Sequence, residues 1–235
     1  MLSETERGQA PAGIGASEVE ARARRSAGIS AVAIYRMVAQ ALTRRGIRGG
    51  VFADIGCGRG DLWPFVAQQF DRYVGSDVVR YDGLPDAIEF HRIDLDTGRI
   101  PLADASADVV AAVETIEHLE NPRAFVRELV RLAKPEGWVL VTTPNQRSLL
   151  SLLTLVVKGH FAAFQDVHYP AHLTALLDVD LRRIAAESGL VETEVAYSGS
   201  GRLVLTPLHY PSLLARALPR ALSDNLMLIG RKRGG

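Results

Sequence analysis

Val51-Phe52-Ala53-Asp54-Ile55-Gly56-Cys57-Gly58-Arg59-Gly60-Asp61 is the stretch from which the fold is read. A run of strand formers ends in three glycines at alternate positions, where the backbone can turn sharply and approach a ligand closely. Leu62-Trp63-Pro64 then opens a helix candidate, 62–70, with Asp61 placed to cap it and Pro64 tolerable in its first turn. In a sheet of parallel strands such a loop falls beyond the strand's carboxyl end, where ligands bind, and the helix start favours a carboxylate or phosphate. The dinucleotide fingerprint G-x-G-x-x-G fails in both registers: the sixth position is Asp61 counting from Gly56 and Trp63 counting from Gly58. A carboxylate two residues before the loop, Asp54, would also repel a pyrophosphate.

Outward from this loop, short β-rich runs alternate with helical periodicity. Strands are predicted at 73–76, 89–93, 109–113 and 138–143, and a helix at 122–133. Strand, helix, strand at this spacing implies parallel pairing by right-handed crossovers, hence an α/β, doubly wound, Rossmann-like sheet. The last third departs from the rhythm, with helices predicted at 147–158 and 178–188 and strands at 192–197 and 225–230. Two strands without a helix between them read as an antiparallel pair at a sheet edge. Before the loop, Val32, Tyr35, Val38 and Leu42 recur at helical spacing, and Ser17 with Glu20 forms a candidate capping box. The expected organisation is an N-terminal helical arm, 1–50, and one domain, 51–235, with a substrate-shaping insertion around 145–175.

Composition narrows the partners. The 27 basic and 27 acidic side chains cancel, which argues against nucleic acid as a partner. One cysteine, Cys57, closes no internal disulfide and builds no cysteine-rich metal cage, so a reducing, cytoplasmic location is expected. The first 28 residues lack the apolar centre of a signal peptide, and the longest apolar run, 149–157, is too short for a transmembrane helix.

Two more carboxylates follow the loop. Asp77 closes the second predicted strand, seventeen residues past Gly60, near where an acid that accepts from ribose hydroxyls is expected. Asp94 closes the third. Three acids around a nucleoside, without a phosphate, fit a cationic ligand. At this point the chain resembles the class I S-adenosylmethionine-dependent methyltransferases, over about residues 51–145. The likeness is carried by Asp54-Ile55-Gly56-Cys57-Gly58-Arg59-Gly60, Asp77, the Asp94 segment leading to Ile100-Pro101-Leu102, Glu117-His118-Leu119, Asn121-Pro122, and Leu132-Ala133-Lys134-Pro135-Glu136-Gly137. Glu136 departs from the pattern, in which glycine is commoner. The resemblance implies a seven-stranded, mostly parallel sheet with an antiparallel last strand. It also implies S-adenosyl-L-methionine bound by Gly56, Cys57, Gly58 and Gly60 at the methionine part, with Asp54 on its amine side. Asp77 would take the ribose and Asp94 with Leu95 the adenine, with Glu114 also counted as cofactor-binding.

For the chemistry, a hydroxyl acceptor needs a general base. Glu117 and His118 follow the fourth predicted strand on the ligand side of the sheet. His168 is the preferred base, within a cluster that includes His160 and His172, with Asp166 a further candidate. A Glu-x-x-Glu-His segment such as Glu114–His118 resembles two groups. In small-molecule methyltransferases, including those of quinone biosynthesis, a similar Glu-His-Leu segment, here Glu117-His118-Leu119, borders the active site. In small-RNA 2′-O-methyltransferases the Glu-x-x-Glu-His segment ligates a divalent metal with a later histidine. No metal is expected here, because the His-rich, aromatic segment of the RNA group is missing. A non-catalytic, cofactor-binding partner protein is the third reading. On a helix at 147–158, Ser148, Ser151, Thr154 and Lys158 share one side, and leucines and valines fill the rest. Such a face ordinarily packs on its own domain or a homodimer partner; otherwise it is a lid or peripheral membrane contact for a lipid-linked acceptor. This segment also resembles, more weakly, bacterial methyltransferases of cell-surface glycan synthesis. The expected acceptor is a small or lipid-linked molecule, attacked through oxygen.

Overall fold

The computed structural model describes residues 20, 21, 23, 24, 28–96, 99–204 and 206–234. Seven strands form one sheet in the order β3-β2-β1-β4-β5-β7-β6: β1 Val51–Ile55, β2 Arg72–Asp77, β3 Glu89–Arg92, β4 Ala107–Ala112, β5 Ala133–Pro144, β6 Leu190–Tyr197 and β7 Asn225–Lys232. The first five pair in parallel. β7 then inserts antiparallel between β5 and β6, so the predicted antiparallel edge pair is present. The helices are α1 Val32–Arg44, α2 Trp63–Val66, α3 Pro122–Leu132, α4 Leu149–Lys158, α5 Asp178–Glu187 and α6 Ser212–Ala217.

Parallel strands buried on both faces need continuous apolar runs. β4 supplies one, with Val109, Val110, Ala111 and Ala112 fully buried. One face is covered by α3 and α5 through Phe125, Leu129, Leu181 and Ile184. The other is covered by α1 through Ile34, Val38 and Leu42, so the spacing read in the arm is a core stripe. Asn121 caps α3, its side chain accepting from Ala124 N–H at 3.0 Å, with Pro122 in the first turn.

Three local expectations change. The helix after the glycine loop is a single α turn that tightens into a 3₁₀ turn at Ala67–Gln69. Asp61 does not cap it: Trp63 N–H bonds the Gly60 carbonyl at 3.0 Å, which starts the helix one residue later, at a Leu62 N-cap. Helix α4 begins at Leu149 because Ser148 is its cap, accepting from Ser151 N–H at 3.2 Å. Ser17 of the expected Ser17–Glu20 capping box lies outside the described residues.

Candidate active site

Four parallel strands deliver their carboxyl ends to one edge of the sheet, where a cavity of about 480 Å³ opens. At the end of β1, Gly56 has φ +79° and Gly58 φ +53°, in the left-handed region. Space is as restrictive as angle. A Cβ on Gly56 would lie 2.2 Å from Thr115 Oγ1, and one on Gly58 would lie 2.3 Å from the Gly28 carbonyl oxygen. The loop is therefore squeezed between the residues after β4 and the segment before α1. Gly60 stands away from the cavity lining, with the Ile88 methyl 2.8 Å from where its Cβ would be.

Asp54, the penultimate residue of β1, is buried, with Oδ2 accepting from the Tyr73 hydroxyl. Its Oδ1 is buried without a hydrogen-bond partner among the described residues. Burial pushes this carboxyl up to about 7, against the hydrogen bond from Tyr73. A cationic ligand in the cavity would supply the missing partner. Asp77 ends β2, and its oxygens accept from Gly58 N–H at 2.8 Å and Val78 N–H at 2.7 Å. Burial raises its carboxyl, while these backbone bonds pull it down. Oδ1 also accepts from Val79 N–H at 3.5 Å, so Oδ2, bonded once, retains a lone pair for a ligand hydroxyl. Asp94 and Leu95 line the cavity next, with Asp96 beside them; Asp94 Oδ1 accepts from Asp96 N–H at 3.0 Å. Cys57 also lines it, but burial drives its thiol far above its ordinary range, so it is no nucleophile.

The opposite wall comes from the turn after β4. Glu114, at φ +49°, accepts from Thr142 Oγ1 at 2.8 Å and from Asn225 Nδ2 at 2.7 Å. Glu117 is 1% exposed and accepts from Thr143 Oγ1 at 3.3 Å. Burial raises both carboxyls, and Glu117 raises Glu114 further. The segment 172–174 clamps this turn, with Leu173 and Thr174 N–H groups donating to the Glu117 carbonyl at 2.8 and 3.0 Å.

Three imidazoles gather here. His118 and His172 meet edge to face at 4.9 Å, and His168 stacks on His172 at 5.5 Å. A carbonyl only accepts, so the contacts of Nδ1 with carbonyls settle the neutral tautomers. His118 Nδ1 donates to the Ala171 carbonyl at 2.7 Å and His172 Nδ1 to that of Ala163 at 2.6 Å, which makes Nε2 the basic atom in each. In His168 the sense is reversed, since Nδ1 accepts from Gln165 N–H at 3.4 Å. Burial and the neighbouring imidazoles push His172 down to about 4, and burial lowers His168. Ligand atoms of Glu117, His118 and His172 lie within 4.8 Å of one another, close enough to share a metal ion.

Asp54, Gly56, Cys57, Gly58, Asp77, Asp94, Leu95, Glu114, Glu117, His118 and His168 thus face one cavity, while His160 and Asp166 are not among its lining residues. The sequence reading missed the wall formed by Gly28, Ser30 and Tyr35, where Gly28 carbonyl accepts from Arg59 N–H at 3.1 Å. Tyr35 carried a signal only as a member of an apolar stripe. Asn225 carried none.

A family profile described as a methyltransferase domain matches residues 31–195. A probable S-adenosylmethionine-dependent methyltransferase of Mycolicibacterium smegmatis is 28% identical over 196 residues, which cover 81% of this chain and 71% of that protein. A ubiquinone biosynthesis O-methyltransferase of Thiobacillus denitrificans is 30% identical over 165 residues, 65% of this chain and 68% of that protein. The crystal structure of a SAM-dependent methyltransferase from Archaeoglobus fulgidus shares the fold, with a TM-score of 0.60 at 17% identity, over 84% of this chain and 94% of that one.

Proposed function

The chain belongs to the class I S-adenosylmethionine-dependent methyltransferases, and from that premise we propose that it methylates an oxygen of a small or lipid-linked acceptor. The observation that carries this reading is the meeting, in one cavity, of the strand-end acids with a wall of buried carboxylates and imidazoles. S-adenosylmethionine, when bound, supplies an electrophilic methyl group on a sulfonium. Asp54 Oδ1 takes the cofactor's ammonium, Asp77 the ribose hydroxyls, and Asp94 with Leu95 the adenine. The glycine loop holds the methionine part, its Gly56 and Gly58 packed against Thr115 and Gly28 where a Cβ would clash. An aligned donor and acceptor contribute about 7–11 kcal/mol to lowering the barrier.

The acceptor proton goes to His118 Nε2. Its tautomer favours it over His168, whose Nδ1 is occupied as an acceptor. His168 stacks on His172 at the rim and shapes the acceptor's entry. Glu117, with a carboxylate oxygen within 4.8 Å of a ring nitrogen of His118, would in its ionised form balance the positive charge that His118 acquires. The relative that carries out ubiquinone O-methylation supports oxygen as the attacking atom.

The test is methyl transfer from labelled S-adenosylmethionine to a panel of phenols, catechols, amines and thiols. Label in methyl ethers is expected, and His118→Ala lowers kcat by about 10²–10⁴ with cofactor affinity unchanged. Label only on nitrogen or sulfur, or wild-type turnover by that variant, overturns the reading. A second reading follows from the Glu117, His118 and His172 cluster: a divalent cation held there would supply Lewis acidity toward the acceptor hydroxyl. Loss of turnover on chelation, restored by one divalent metal, separates it from the first.

A further inference from the structure

Helix α4 is built inside out. Its hydroxyl side faces the protein: Ser148 and Ser151 are buried, and Ser151 Oγ donates to Gln146 Oε1 at 3.3 Å and accepts from Ala162 N–H at 3.2 Å. Its apolar side faces outward, with Val156 83% and Val157 77% exposed. Packing of this face on its own domain, the ordinary arrangement for such a helix, is therefore not what the chain adopts. A second apolar segment adjoins it. Leu149 N–H donates to the Ala221 carbonyl at 2.8 Å and Asn145 Nδ2 to that of Arg220 at 2.8 Å. These bonds tie the start of α4 to the turn after α6; Leu213 and Leu214 on α6 and Leu218 just past it are exposed.

The exposure is regional. Of fourteen exposed large apolar side chains among the described residues, eleven fall within 149–169 and 208–218. An apolar surface gathered this way marks an interaction site. Val167 and Tyr169, two of the eleven, also line the mouth of the cavity.

Charge decides what covers it. Residues 145–169 and 203–223, which span the apolar surface, hold four cations, Arg147, Lys158, Arg216 and Arg220, against one acid, Asp166, in a chain whose charges cancel overall. Lys158, Arg216 and Arg220 are exposed and form no salt bridge among the described residues. A second copy of this chain would bring like charges together across the contact. An anionic bilayer matches both properties: apolar side chains enter the headgroup boundary while the cations stay among the headgroups.

We propose that α4 and the α6 segment seat the protein on an anionic lipid bilayer, with the cavity mouth at Val167 and Tyr169 turned toward the lipid. The inference rests on the acceptor reading above only in narrowing that acceptor to the lipid-linked class. Co-sedimentation with vesicles of phosphatidylcholine, with and without phosphatidylglycerol, tests it. Binding is expected only where phosphatidylglycerol is present, and it weakens as salt is added. Val156→Glu with Val157→Glu lowers partitioning by about tenfold or more, with circular dichroism and cofactor affinity unchanged. Lys158→Gln, Arg216→Gln and Arg220→Gln each lower it about fivefold, the equivalent of about 1 kcal/mol per cation. No sedimentation of the wild type, or sedimentation indifferent to the glutamates, overturns the proposal. So does a dimer in light scattering that the glutamates dissociate. Methyl transfer to a water-soluble phenol without vesicles reads the acceptor chemistry separately: it persists if only the bilayer docking is wrong, and fails alone if only the oxygen chemistry is.

Discussion

Asp54 answers to two opposite demands, and pH separates them. Its carboxyl sits at about 7 in the fold, above its ordinary 3.8, because it is buried. A raised folded value means the fold holds the proton more tightly than the unfolded chain does. That contribution to stability is therefore fully present below about pH 3.8 and is lost as pH rises through about 7. Cofactor binding runs the other way, since an ammonium pairs with the ionised form. Titration calorimetry should show affinity for S-adenosylmethionine weakening as pH falls below about 7, by at most about tenfold per unit. Asp54→Asn should flatten that slope, and a slope unchanged in the variant would remove Asp54 from the ammonium site. Asp77→Ala loses two hydrogen bonds from ribose to a charged acceptor, worth about 1.5–3 kcal/mol each, so affinity should fall by about 10² or more. Wild-type affinity in that variant contradicts the assignment. Of the site residues, those within the glycine loop and at strand ends were legible, because a turn and a carboxylate leave local marks. Asn225, bonded to Glu114 from 111 positions away, leaves none.

Among the elements, the central strands were readable because β-rich runs buried on both faces leave continuous apolar stretches; strand edges moved by at most two residues, except that β5 starts five residues before the predicted 138. The orientation of α4 was not readable. Its periodicity is the same whichever side faces inward, and only the partners of the Ser151 hydroxyl, Gln146 and Ala162, decide it. This inversion makes a stability prediction that reverses the usual order. Ser151→Ala leaves a buried acceptor and a buried N–H without their partner and should cost about 1–3 kcal/mol in urea unfolding. Val156→Ser, at an exposed position, should change stability by less than about 0.5 kcal/mol. A larger cost for Val156→Ser than for Ser151→Ala would mean the helix is rotated. The wall at Gly28–Tyr35 escaped the sequence for a related reason: its contact with Gly58 is a close approach of two backbones, with no side chain to announce it.

At the scale of the whole molecule, ligand and fold are linked. The cavity is walled by the arm before α1, by the ends of β1, β2 and β4, and by the loop at 167–172, so a bound cofactor holds distant parts of the chain together. At a hundred times its dissociation constant a ligand adds about 2.7 kcal/mol to stability. A domain of this size gains about 2–4 °C per kcal/mol, so melting should rise by about 5–10 °C with S-adenosylmethionine. Asp77→Ala should show no such rise at the same concentration. A variant that still shifts, or a wild type that does not, contradicts the linkage.

The order β3-β2-β1-β4-β5-β7-β6 has a consequence for recombination. The acids assigned to the methyl donor stand on β1, on β2 and just past β3, while the buried carboxylates and imidazoles assigned to the acceptor follow β4. Only the seam of β1 with β4 joins the two halves within the sheet, through Phe52↔Val109, Ala53↔Val110 and Asp54↔Ala111. A chimera cut in the loop before β4 would keep the donor half whole and import another acceptor half intact. Lineages that share this seam could then exchange what they methylate without rebuilding how they hold the methyl.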